Sequence, residues 1–212
     1  VAKKKVNPHH HELEVKIAAD SVQPVDFRNW CVTRGPSEYV RLTSPDVYYT
    51  QGKNVLRHRL GDQRRITGAG ELTVKQRTSS KSTKNRVEVD LRFSEKTTRE
   101  DVERFLEATG WSPAFTVIKD CCIFFFLDQK PGVEVVIYTV RCIYPDGRET
   151  EQRRFLEIEI HKADSQHVKA LTTLKNWEED IRSNFQGLGE TQDQSLYEIY
   201  SGKRYNMVKE KA

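Results

Sequence analysis

Membrane-spanning segments are the first thing missing. No stretch of the chain approaches the roughly 20 consecutive apolar residues that a spanning helix requires, and no apolar run follows the Lys3-Lys4-Lys5 cluster. No membrane partner is expected, and the chain reads as a soluble, cytoplasmic protein. Disulfide frameworks are missing as well. The four cysteines (Cys31, Cys121, Cys122 and Cys142) contain no C-x-x-C spacing, and an adjacent pair does not easily satisfy disulfide geometry, so reduced thiols are expected. Net charge is small: 35 basic residues against 31 acidic ones leave a formal +4. So mild a field does not announce a nucleic-acid coat, and double-stranded DNA is not an expected partner. Apolar residues are scarce, 36% against 31% charged, a high charge load for a domain with an entirely apolar interior, so some charge should point inward. There is no internal repeat and no linker composition. The length fits a single domain over 1–212, with a core of about 11–201 between a lead-in and a tail. His9-His10-His11 does not read as a metal site, because consecutive residues of an extended chain point to opposite faces.

What the chain has in quantity is alternation of period two. In Glu12-Leu13-Glu14-Val15-Lys16-Ile17 the charged and apolar residues must occupy opposite faces of a strand. Further strands are predicted within Tyr39 to Tyr49, Asn54 to Leu60, Glu71 to Arg77, Arg86 to Phe93, within Phe115 to Leu127, Glu134 to Tyr144 and Arg153 to His161. Turn chemistry at Thr67-Gly68-Ala69-Gly70, Pro131-Gly132 and Pro145-Asp146-Gly147 makes antiparallel neighbours of them. Two helices are predicted. One opens at Thr97-Thr98 and closes at Gly110, with Val102, Phe105 and Leu106 as its apolar stripe. The other runs from about Asp164 to Phe185 on Val168, Leu171, Leu174, Ile181 and Phe185. A shorter helix fits Val25 to Val32. The stretch from Gln76 to Asn85 has no apolar residue and reads as a basic, mobile loop.

The chemistry lies on the charged faces. Glu12, Glu14 and Lys16 stand side by side on one strand face. Paired carboxylates offer the oxygen ligands that a hard divalent cation wants, and the ammonium beside them neutralises phosphate. Any single strand of this kind is more often a solvated face, but the pattern recurs. Arg57 and Arg59 share a face opposite Leu56, His58 and Leu60, and guanidinium forks suit phosphate oxygens. Lys75 and Arg77 repeat it, and Arg86, Glu88, Asp90 and Arg92 line the next strand. Glu157 and Glu159 restate the acidic pair, with His161 on the same face. If all these faces look inward, the outward apolar faces need the two helices as a roof. The predicted fold class is therefore α+β: an antiparallel β-barrel with a charged interior and helices packed outside.

These motifs resemble the CYTH family, the triphosphate tunnel metalloenzymes, whose hallmark is a Glu-x-Glu-x-Lys first strand. The resemblance runs through Glu12-Leu13-Glu14-Val15-Lys16, Asp46-Val47-Tyr48-Tyr49, Val55-Leu56-Arg57-His58-Arg59, Leu72-Thr73-Val74-Lys75, Arg86-Val87-Glu88, Lys119, Leu156-Glu157-Ile158-Glu159 and Ser195-Leu196-Tyr197-Glu198-Ile199. It implies a triphosphate tunnel that uses Mg2+ or Mn2+ to hydrolyse tripolyphosphate, a nucleoside triphosphate, thiamine triphosphate or an RNA 5′-triphosphate end. Cyclisation of ATP and binding without turnover are the alternatives. Carried over residue by residue, Glu12, Glu14 and Lys16 are the expected catalytic residues. Lys16, Arg57, Arg59, Lys75, Arg86 and Lys119 are expected to grip phosphate. Glu12, Glu14, Glu157 and Glu159 are expected to hold metal, with Glu88 and Asp90 assisting. The chain departs from the family at Cys121, where an arginine usually follows the late lysine, and in the strand around Tyr138, which has only Glu134 as an acid.

Overall fold

A computed structural model of the chain describes residues 9–60, 70–77, 84–94, 96–162 and 167–202, leaving aside the side chains of 9–12, 75–77, 84–88, 92, 161, 162 and 167. Eight strands lie in this region: β1 (His9–Ala18), β2 (Glu38–Gln51), β3 (Asn54–Arg59), β4 (Glu71–Arg77), β5 (Lys84–Arg92), β6 (Ser112–Phe126), β7 (Val133–Ile143) and β8 (Arg153–Lys162). They form one antiparallel sheet in the order β1-β5-β4-β3-β2-β6-β7-β8. β1 pairs with β5 through Glu12–Arg86 and with β8 through Lys16–Glu157, so the pairings return on themselves and the sheet rolls into a closed ring. β4 and β5 run further than the polar loop predicted over 76–85: the strands reach Arg77 and resume at Lys84, and only 78–83 lies outside the described residues.

Four helices accompany the strands: α1 (Pro24–Thr33), α2 (Arg99–Ala108), α3 (His167–Asn184) and α4 (Leu196–Ser201). α2 starts where Thr98 and Asp101 form a reciprocal capping box, which satisfies two of the amide donors that a helix start leaves unpaired. It ends before Gly110, whose φ of +85° is the left-handed conformation that glycine adopts without strain. None of the described helices is long and apolar enough to cross a membrane.

Strand alternation distributes the apolar side chains between two outer clusters. Leu13, Val15 and Ile17 of β1, Val135 and Ile137 of β7 and Leu156, Ile158 and Ile160 of β8 face outward. They are covered by Phe27 and Cys31 of α1 and by Ala170, Leu174, Trp177 and Ile181 of α3. On the opposite wall Val47, Tyr49, Leu56 and Leu72 lie beneath Val102 and Leu106 of α2. Two residues predicted to roof the barrel do not: Phe105 is 62% and Val168 77% exposed. Each lies on the solvent side of its helix, because the buried stripe follows positions 102 and 106 on α2 and 170, 174, 177 and 181 on α3.

A third cluster faces inward. Tyr48, Val55, Phe115, Val117, Val136, Tyr138, Val140, Cys142 and Phe155 occupy the strand positions opposite the outer clusters, and Leu196, Tyr197 and Tyr200 of α4 pack against them. The interior is thus ionic only in part, which corrects the expectation of a lumen charged throughout. The physical reason is the long run of apolar and aromatic residues that β6 and β7 present on both faces, as fully buried strands do.

Candidate functional site

Along β1 the outward Leu13, Val15 and Ile17 fix the register, and the register turns Glu14 and Lys16 into the lumen, where they are 3% and 2% exposed. The Lys16 ammonium lies 3.0 Å from Glu157 Oε1 of β8 and 3.6 Å from Glu14 Oε1. On β7 the Tyr138 hydroxyl donates to the same Glu157 oxygen at 2.8 Å, and the Lys119 ammonium of β6 stands 5.7 Å over the Tyr138 ring. Lys119 pairs in turn with Asp46 Oδ2 of β2 at 3.1 Å. The Arg59 guanidinium of β3 forks onto Asp46, with Nε donating to Oδ1 at 2.9 Å and Nη2 to Oδ2 at 3.2 Å. From Arg57 of β3 the polar contacts continue: its Nη2 donates to Thr73 Oγ1 of β4 at 2.9 Å, and the Thr73 hydroxyl donates to Asp90 Oδ1 of β5 at 2.8 Å. Every one of the eight strands therefore contributes a polar side chain to a belt around the inside of the barrel.

Charge balance within the belt follows from burial. Asp46 has no solvent exposure. Burial opposes its ionisation, yet Arg59, Lys119 and Arg57 together hold its carboxyl well below the usual carboxylate range. Reciprocally, Asp46 outweighs the burial of Arg59 and holds its guanidinium above its ordinary value. Burial pushes the Cys121 thiol up to about 12 against the pull of Lys119 and Arg59, so this lumen position is neutral. Burial and then the Glu157 charge raise the Tyr138 hydroxyl well above its ordinary value, which keeps it a hydrogen-bond donor.

Of the residues singled out from the sequence, the described side chains of Glu14, Lys16, Arg57, Arg59, Asp90, Lys119 and Glu157 meet in this belt. Glu159 is the direct cross-strand partner of both Glu14 and Glu134, which sets three carboxylates in one row on β1, β8 and β7. Asp90 lies by Thr73 and Arg57, not by Glu14. Glu12, Lys75, Arg86 and Glu88 have described backbones only: Glu12 is registered against Arg86 and His161, and Lys75 against Glu88. Sequence reasoning named Asp46 only as part of a motif and gave Thr73 no role. The signal for Asp46 was present, since Val47 and Tyr49 alternate with it on the outer face.

The donor set can be tested for a divalent ion. Carboxylates directly opposite on neighbouring strands repel, and the Glu14, Glu159 and Glu134 row is an arrangement that a cation stabilises. Carboxylate oxygens are the ligands that Mg2+ and Mn2+ prefer, so the residues fit such an ion in kind. Among the described residues no group of three or more His, Cys, Asp and Glu side chains closes around one position. Lys16 holds the place between Glu14 and Glu157.

An eight-stranded antiparallel sheet with an inward polar belt defines a β-rich α+β fold that solved structures share. The PH1819 protein of Pyrococcus horikoshii OT3 is similar with a TM-score of 0.62 at 20% identity, over 91% of this chain and 99% of that one. A chain of the Schizosaccharomyces pombe Mediator head module is similar with a TM-score of 0.61 at 17% identity, over 86% of this chain and 100% of that one. A candidate adenylate cyclase from Bacillus halodurans gives 0.50 at 14% identity, over 91% and 98%. At these identities the likeness establishes the fold. No protein-family model matches the chain, and no curated protein does.

Proposed function

We propose that the barrel grips the phosphate chain of a triphosphate and hydrolyses one of its anhydride bonds with the help of Mg2+ or Mn2+, as triphosphate tunnel metalloenzymes do. The observation that carries this reading is the belt itself: Lys16, Arg57, Arg59 and Lys119 converge from three strands on one enclosed space that also holds Glu14 and Glu157. Lys75 and Arg86 extend the cationic side by register. In a water-poor lumen such cations stabilise developing phosphate charge far better than they would in bulk solvent. Asp46 favours the ionised Arg59 guanidinium and orients both Arg59 and Lys119 until a polyanion competes for them. Glu12, Glu14, Glu157 and Glu159 would hold the ion, with Glu88 and Asp90 assisting. When bound, the ion would polarise phosphate oxygens and lower the pKa of a water. In the hydrolytic step a water oxygen attacks phosphorus and the P–O bond to the bridging oxygen breaks. The water proton leaves to solvent, and a phosphate and a shortened phosphate chain are released. Tripolyphosphate, nucleoside triphosphates, thiamine triphosphate and an RNA 5′-triphosphate all present the required group. The structural likeness to a candidate adenylate cyclase makes cyclisation of ATP the alternative outcome.

The test is to incubate the purified protein with tripolyphosphate, ATP or thiamine triphosphate and Mg2+ or Mn2+, following phosphate, pyrophosphate and cyclic AMP. Phosphate release that disappears in a Glu12→Ala, Glu14→Ala double variant supports the reading. A double variant as fast as the parent removes the metal assignment, and cyclic AMP with pyrophosphate makes the protein a cyclase. A second reading, binding without turnover, is favoured by the two neutral belt positions, Cys121 and Tyr138. It predicts triphosphate binding with no product.

A further inference from the structure

We infer that Tyr138 is a positioning residue that restricts Glu157 to a single oxygen toward a divalent ion. This rests on the metal part of the reading above and deepens it, because one side chain of β7 then sets how much ligation β8 can offer. In the pairing of β7 with β8, Phe155 is directly opposite Tyr138 and Val136 is directly opposite Glu157. Tyr138 and Glu157 are therefore diagonal neighbours, a separation within reach of an aromatic side chain. Val135 and Ile137 face outward, which turns Val136 and Tyr138 into the lumen. On the other flank of β8, Lys16 of β1 is directly opposite Glu157.

Two donors from opposite flanks thus reach one carboxylate oxygen. The Tyr138 hydroxyl donates to Glu157 Oε1 at 2.8 Å, and the Lys16 ammonium lies 3.0 Å from the same atom. A carboxylate oxygen offers about two lone-pair sites, and these contacts occupy them. A cation approaching Oε1 has to displace the phenol, and it meets the ammonium charge as well. Glu157 can then give an ion at most its other oxygen. The larger share of ligation falls to Glu14 and Glu159, which stand directly opposite each other on β1 and β8.

The phenol is fixed by its ring. Tyr138 is buried, its ring centre lies 5.9 Å from that of Phe155, and the Lys119 ammonium stands 5.7 Å over it. A carboxylate at position 138 would repel Glu157 and join it around an ion; a phenol has a proton to give and binds Glu157 instead. Replacing Tyr138 by Phe deletes the hydroxyl and keeps the ring with both of its contacts, so the change isolates the bond to Glu157. The sign of the effect separates two roles. Loss of a merely structural group loosens metal binding, whereas release of Glu157 Oε1 tightens it.

The experiment titrates Mn2+ into the full chain and follows the free ion by electron paramagnetic resonance, for the parent, Tyr138→Phe, Glu157→Gln and the variant carrying both changes. Tyr138→Phe is expected to bind Mn2+ about tenfold more tightly than the parent. That is the lower end of what one hydrogen bond to a charged acceptor is worth, since Lys16 keeps its hold on the same oxygen. In the Glu157→Gln background the same substitution should change the affinity by less than about twofold, because no carboxylate is left to release. A Tyr138→Phe variant that binds Mn2+ no more tightly than a binding parent, or a tightening that persists in the Glu157→Gln background, would overturn the inference while leaving the metal part of the reading standing. If neither the parent nor Tyr138→Phe binds Mn2+, the metal assignment falls and this inference falls with it.

Discussion

Replacing Asp46 by Asn removes one charge from the centre of the belt while conserving volume, so no cavity term enters. Asp46 has no solvent exposure, takes two hydrogen bonds from Arg59 at 2.9 and 3.2 Å and holds Lys119 at 3.1 Å. Removing one member of a buried ionic group costs about 3–5 kcal/mol, because its partners remain buried and uncompensated. For a chain of this size each kcal/mol moves the melting midpoint by about 2–4 °C, so Asp46→Asn should melt roughly 6–20 °C below the parent at neutral pH. The acid side supplies a second check. The folded Asp46 carboxyl lies below its ordinary value of 3.8, so on acidification the unfolded chain takes up the proton first. The contribution of Asp46 is therefore complete above pH 3.8 and is lost as pH falls below it. The stability gap between parent and variant, measured by urea unfolding, should be constant from neutral pH to about 5 and shrink below about 4. Tripolyphosphate should recover part of the loss at neutral pH, since a bound polyanion present at a hundred times its Kd adds about 2.7 kcal/mol. A variant melting within 2 °C of the parent, or a gap that widens in acid, would refute the buried-pair argument.

Tyr138→Phe deletes the hydroxyl that donates to Glu157; it should cost about 1.5–3 kcal/mol in urea unfolding, the worth of a hydrogen bond to a charged acceptor. Ile181→Ala on α3 empties a fully buried position against the outer face of the barrel and should cost about 2–5 kcal/mol in the same measurement. The Phe105→Ser variant touches a side chain that is 62% exposed, and its stability in urea unfolding should stay within about 0.5 kcal/mol of the parent. The Glu12→Ala, Glu14→Ala double variant should lose Mn2+ binding measured by electron paramagnetic resonance; unchanged Mn2+ affinity would exclude both as ligands.

Strand faces were the legible part of the sequence. Leu13, Val15 and Ile17 against Glu14 and Lys16, or Leu56 and His58 against Arg57 and Arg59, carry their orientation in a period of two, and Leu174 and Ile181 carry theirs in helical spacing. Where both faces of a strand are apolar the period is silent. β6 and β7 present Phe124 and Val135 outward and Val117, Val136 and Tyr138 inward, so the apolar arc of the lumen could not be read in advance. Asp46 was obscured by Pro45, which interrupts the look of a strand although β2 runs through it, and because one carboxylate among aromatics does not announce two cationic partners on other strands. α4 is six residues long, too short for a periodicity, and its place inside the barrel depends on a long return of the chain around α3. Phe105 and Val168 show the opposite error: apolar residues near a stripe are not always in it.

Whether the inward belt grips a triphosphate is decided by titrating tripolyphosphate with Mg2+ into the parent, into Arg57→Gln and into Lys175→Gln, which alters an exposed lysine on α3. Saturable binding to the parent is expected, weakened by roughly 10- to 150-fold in Arg57→Gln, the equivalent of one charge-assisted hydrogen bond, and unchanged in Lys175→Gln. Equal affinities for all three, or no binding to a folded parent, would contradict it.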